Sequence, residues 1–88
     1  MRGKMEQNEL RQKAKLLPVT CWIGKNGLTE AALGEIKKML KKRKLVKVRL
    51  LKNFAEGRDE KAVAGEIAAR TSSVVIQAIG SVVVLYKR

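Results

Sequence analysis

The hydrophobic period changes at residue 44, from the helical repeat to the alternation of a strand. From Thr29 to about Lys44 the apolar side chains repeat at helical spacing, with Ala32, Leu33, Ile36, Met39 and Leu40 on one face. From Leu45 to Leu51 the period drops to two. Val46, Val48 and Leu50 then point one way and Lys47 and Arg49 the other. A half-buried strand that directly follows an amphipathic helix needs a sheet to join and a helix layer to cover it.

The remaining segments fit that frame. Residues Glu6 to Leu17 are helix-compatible, with Leu10, Ala14 and Leu17 as a narrow apolar stripe, and Pro18 ends the segment. Val19 to Ile23 is short, β-branched and aromatic, and is predicted as a strand. Asn53 to Arg58 reads as a polar connection, and Asp59 to about Thr71 as a second amphipathic helix with Val63 and Ile67 in its seam. Val74 to Ile79 and Val82 to Tyr86 are strands, and Gly80-Ser81 between them fits a type II′ hairpin turn with glycine supplying the positive φ.

The expected order is αβαβαββ, an α/β (α+β) chain with a four-stranded mixed sheet and packed helices. The two strand–helix–strand units should each place their strands as parallel neighbours, with the hairpin adding an antiparallel strand. The last two strands are apolar on both faces, so the N-terminal helix is expected to cover part of the second face. With 88 residues, the chain has room for one domain, 1–88, and one small core, with residues 1–5 expected to be flexible.

Charge separates the two halves of the chain. Residues 1–52 carry fifteen Lys and Arg against four acids, whereas residues 53–88 carry five against four. Most of the net charge of +12 therefore lies in the first half, the footprint expected of a nucleic-acid binder. The aromatics Trp22, Phe54 and Tyr86 make up only 3% of the chain, which weakens any model in which several bases stack on an aromatic platform.

Other classes find little support. With no histidine, one cysteine and scattered acids, no catalytic dyad, metal-ligand cluster or cofactor loop can be proposed, and no small-molecule substrate is implied. Glu30 and Glu35 are expected to form local ion pairs. Cys21 lies in an apolar stretch and is expected to be a buried hydrophobe; one cysteine allows no intramolecular disulfide, which fits a reducing compartment such as the cytoplasm. No secretory signal or membrane-length apolar run is visible.

Gly24-Lys25-Asn26-Gly27 is the sharpest local feature. It joins a strand to a helix whose N-cap is Thr29 and whose first turn carries Glu30. Glycines at both ends allow positive φ and close approach, Lys25 adds a cation, and Asn26 can donate hydrogen bonds or turn left-handed. The helix N-terminus behind the loop favours an anion. The loop alone is as compatible with a plain turn as with a phosphate clamp. Beside it Lys37, Lys38, Lys41, Lys42 and Lys44 form a basic helix face, and no acid stands four residues from the middle lysines to relieve it. Lys47 and Arg49 are expected to prolong this track on the next strand. An acidic protein partner and duplex DNA remain alternative ligands. An anionic membrane would require exposed apolar side chains beside the basic face.

The run Ile23-Gly24-Lys25-Asn26-Gly27-Leu28-Thr29-Glu30, the helix after it, Leu45-Val46-Lys47-Val48, Gln77-Ala78-Ile79-Gly80 and Val84-Leu85-Tyr86 resemble the CRM domain, named for chloroplast RNA splicing and ribosome maturation. The resemblance extends from about Leu10 to Lys87. It implies a fold similar to the C-terminal domain of bacterial translation initiation factor three. It also implies RNA binding through Gly24, Lys25, Asn26 and Gly27 with the adjoining basic surface. The implied partners are large-subunit ribosomal RNA or its precursor and the pre-ribosomal particle. A lone copy without a long tail is expected to match the prokaryotic, YhbY-like members.

Overall fold

Lys44 makes the change of period. It stands at φ +67°, and its N–H donates to the Leu40 carbonyl at 2.8 Å, closing the helix. Its own carbonyl accepts from the Lys87 N–H at 2.8 Å, so the residue that caps the helix also begins the strand pairing.

The computed structural model describes residues 2–87, with side chains described from Asn8 to Lys87. In chain order the elements are α1 (Arg2–Leu16), β1 (Cys21–Ile23), α2 (Glu30–Arg43), β2 (Leu45–Leu50), α3 (Lys52–Ala55), α4 (Glu60–Thr71), β3 (Val74–Ile79) and β4 (Val82–Tyr86). The expected order is present with one addition: α3 occupies the first half of the segment read as a polar connection. The helix α1 starts at Arg2 rather than Glu6, and the expected flexibility of residues 1–5 lies outside the described side chains.

The sheet order is β1-β2-β4-β3, with β1 and β2 parallel and the other two pairings antiparallel. The first strand–helix–strand unit thus gives parallel neighbours as expected. The second does not, because β4 lies between β2 and β3. Burial explains the insertion: Val83, Val84 and Leu85 are all buried, so β4 needs cover on both faces and takes an inner position. At the edge, β3 carries exposed Ile79 and a register shift between Val75 and Gln77, features that an inner strand would not tolerate.

The hairpin turn also differs from expectation. Gly80 (φ +58°) and Ser81 (φ +65°) are both left-handed, which defines a type I′ turn rather than II′. Two contacts hold the strained serine: its N–H donates to Glu60 Oε2 at 2.6 Å, and its carbonyl accepts from the Leu50 N–H at 2.8 Å.

Helices cover both faces of the sheet. On one, Ile36 and Leu40 of α2 and Val63, Ala64, Ile67 and Ala68 of α4 close over Cys21, Ile23, Val46, Val48, Leu50, Val83 and Leu85. On the other, Ala14, Leu10 and Leu17 pack on Leu45, Ile76, Val84 and Tyr86, so the N-terminal segment covers part of the second face as expected. Lys47 reinforces this contact by donating from Nζ to the Leu17 carbonyl at 3.0 Å. Cys21 is buried, and that burial pushes its thiol pKa up, so it behaves as a small hydrophobe. Among the described residues no helix is long and apolar enough to cross a membrane.

The two faces of α2 should respond differently to truncation. Ile36 is fully buried, so Ile36→Ala is expected to cost about 2–5 kcal/mol in urea unfolding. Exposed Lys37→Ala should stay within about 0.5 kcal/mol.

Candidate functional site

The Gly24–Gly27 loop is a closed β-turn. The Gly27 N–H donates to the Gly24 carbonyl at 2.8 Å, which projects Lys25 and Asn26 into solvent. Only Gly27, at φ +75°, uses the left-handed region; Gly24 and Asn26 do not. A Cβ on Gly27 would also stand 3.4 Å from Phe54 Cε1, whereas one on Gly24 would meet only Leu51 Cδ1 at 3.5 Å. The second glycine is thus required by conformation, and the first is not.

Phe54 is the support that the sequence pattern did not reveal. It is buried within α3, beneath Gly27, and Arg58 locks it from outside. The Arg58 guanidinium lies 4.4 Å from the ring centroid, and Nε donates to the Phe54 carbonyl at 2.8 Å. The loop rests on a clamped aromatic ring.

Beyond the turn the Thr29 N–H donates to the Gly27 carbonyl at 3.0 Å, and Thr29 Oγ1 accepts from the Ala32 N–H at 3.0 Å as the expected N-cap. The Thr29 hydroxyl oxygen therefore serves the helix. The amides of Lys25 and Asn26, and those of Glu30 and Ala31 in the first turn, have no intramolecular partner among the described residues. They surround the positive end of the α2 dipole, where an anion is stabilised.

The lysines divide by position on α2. Lys37, Lys38, Lys41 and Lys42 are all exposed, as is Lys44 at the cap. Lys41 and Lys42 stand in the last turn, where the helix dipole favours a cation by about 0.3–1 kcal/mol each and offsets their mutual repulsion. Lys37 and Lys38 stand mid-helix, beyond the reach of that end of the dipole, and neither forms a salt bridge among the described residues. Glu30 and Glu35 do not form the expected ion pairs. Among the described residues the one salt bridge is Glu66–Arg70 at 3.2 Å.

The track does not continue onto β2 as expected. Lys47 and Arg49 alternate with Val46, Val48 and Leu50, which face α2, so they lie on the other side of the sheet. Lys47 is half-buried and held by the Leu17 carbonyl, whereas Arg49 is exposed and lines a groove of about 450 Å³ with Lys52, Glu56, Gly80 and Ser81. The described residues contain no group of three His, Cys, Asp or Glu side chains that could hold a metal ion.

A protein-family model, the CRS1 / YhbY (CRM) domain, matches residues 3–87. The chain belongs to the CRM family. It is 36% identical over 78 residues to the probable RNA-binding protein YqeI of Bacillus subtilis, covering 89% of this chain and 79% of the relative. It is 33% identical over 85 residues to a probable RNA-binding protein of Methanocaldococcus jannaschii and 35% identical over 66 residues to one of Pseudomonas aeruginosa. Those matches cover 97% and 75% of this chain, but each spans only 62% of the relative's length. The solution structure of a Staphylococcus aureus protein described as a candidate RNA binder superposes with a TM-score of 0.80 at 32% identity, covering 96% of this chain and 85% of that one.

The two loop glycines should separate in unfolding experiments. Gly27→Ala forces a side chain into positive φ against Phe54 and is expected to cost about 1–2 kcal/mol. Gly24→Ala should cost less than about 0.5 kcal/mol in the same urea titration.

Proposed function

We propose that this CRM-family protein is a non-enzymatic, cytoplasmic RNA-binding factor that acts in assembly of the large ribosomal subunit. The observation that carries the reading is one juxtaposition: the projecting Lys25-Asn26 turn and the unpaired amides of α2 adjoin a helix face whose lysines lack acidic partners. The names of the bacterial and archaeal relatives support RNA as the ligand class. The ribosomal setting rests on the family's association with ribosome maturation.

Binding on this reading is electrostatic and shape-led. The loop amides hold a phosphate while Lys25 closes over it, and Lys37 and Lys38 take the next phosphates along the strand. By helical rise, Lys37 stands about 10 Å and Lys41 about 16 Å along the axis from Glu30. The lysines thus extend the interface away from the loop rather than crowding a single phosphate. Each neutralised phosphate releases counterions, which makes affinity salt-dependent.

The test is filter binding of structured ribosomal RNA across a salt series. Lys25→Glu combined with Lys37→Glu and Lys41→Glu should weaken binding strongly. The triple variant should also lower the log–log salt slope by about one for each phosphate that is no longer neutralised. Unchanged affinity and slope would exclude the mechanism. For the biological setting, the tagged protein should co-sediment with large-subunit precursors in a sucrose gradient and leave them after ribonuclease treatment.

A further inference from the structure

Among the described residues, one row of the sheet lies outside the packing of α1, α2 and α4. Trp22 of β1 pairs in register with Arg49 of β2, Arg49 with Val82 of β4, and Val82 with Ile79 of β3. All four side chains lie on the face opposite α2 and α4, because their strand neighbours Cys21, Ile23, Val48, Leu50, Val83 and Ala78 pack into the core on the other side. On their own face, α1 packs on Leu45, Ile76, Val84 and Tyr86, at the other end of the strands. Trp22 is left 55% exposed and Ile79 65% exposed.

We infer that this row is a stacking site for one unpaired nucleobase of the RNA strand whose phosphate the adjacent loop holds, an inference that rests on the RNA-binding reading above. Trp22 stands two residues before Gly24, about 7 Å along an extended strand. A base leaving a phosphate at the loop can therefore reach the indole. The charge around the row selects the occupant. Arg49 is its one ionisable member, and the groove that Arg49 lines adds Lys52 against Glu56, a net positive surround. A flat aromatic group attached to an anionic backbone satisfies both the indole and the cations, whereas a purely apolar partner would bury Arg49 unpaired. A single exposed aromatic accommodates one base, in keeping with the low aromatic content of the chain.

Trp22 is the only tryptophan, so its emission reports on the site directly. Three probes are titrated into the full chain: a short unstructured RNA, a blunt RNA duplex and base-free inorganic polyphosphate. Unstructured RNA should quench Trp22 in step with binding, and polyphosphate should bind without comparable quenching. Trp22→Ala should weaken binding of unstructured RNA by about tenfold, with a smaller effect on the duplex and no change in salt slope. Trp22→Phe should restore most of the loss, which guards against a folding artefact. Equal affinity of Trp22→Ala and wild type for unstructured RNA, with Lys25→Glu still weakening binding, would sink the stacking site and leave the RNA-binding reading intact. Equal quenching by polyphosphate would also overturn it. Wild-type protein that binds neither RNA would overturn both.

Discussion

The burial of β4 on both faces sets the terms for the rest of the molecule. Val83 and Leu85 point to one side and Val84 and Tyr86 to the other, and each fully buried aliphatic side chain contributes about 1.5–3 kcal/mol. A strand of this kind needs hydrogen-bonding partners on both edges and helices over both faces. The first need places β4 between β2 and β3, and the second draws α1 across the face that α2 and α4 leave open. The cover is uneven because α1 reaches only one end of the strands. The uncovered row at the other end lies beside the loop, so the same limited reach that completes the core leaves a surface next to the proposed phosphate site.

Rigidity at the loop follows from a different contact. A β-turn carrying Lys25 and Asn26 would move freely if anchored only by β1, a three-residue edge strand. Instead Gly27 lies against Phe54, and Arg58 holds that ring through its own guanidinium and a hydrogen bond to the backbone. The Leu51 N–H donates to the Ile23 carbonyl at 2.8 Å, tying the segment before the loop to the segment before α3. The four residues of α3 thus act as a buttress. A loop held in this way meets a phosphate with its amides already oriented, which lowers the ordering cost of binding.

The sequence was most legible where one period persisted over many residues. The α2 face of Ile36 and Leu40, the alternation of Val46, Val48 and Leu50, and the Thr29 cap all stand as expected. Short elements escaped, since α3 spans barely one turn and has no period to detect, and its Phe54 looked like one apolar residue in a polar run. Strand order escaped for another reason. Two strand–helix–strand patterns suggest parallel neighbours, but the decision rested on which strand most needed burial on both faces, a comparison between distant segments. The II′ assignment failed because glycine at the first turn position fits both primed types, and only the Glu60 carboxylate, contributed by another element, shows how Ser81 is held left-handed.

Lys47 and Arg49 show how far alternation alone carries a functional reading. Period two correctly places both on the polar side of β2, but it does not say what lies over that side. The end of α1 lies over the first, and the carbonyl of Leu17, the residue just after the helix, accepts from Lys47. Among the described residues α1 does not pack over the second, which lines an open groove beside α3. Two residues of the same charge, two positions apart on one strand, therefore do different work: Lys47 fastens a helix to the sheet, and Arg49 is free to meet a ligand. The boundary between core and the proposed interface on this face falls between them, and the end of α1 sets its position.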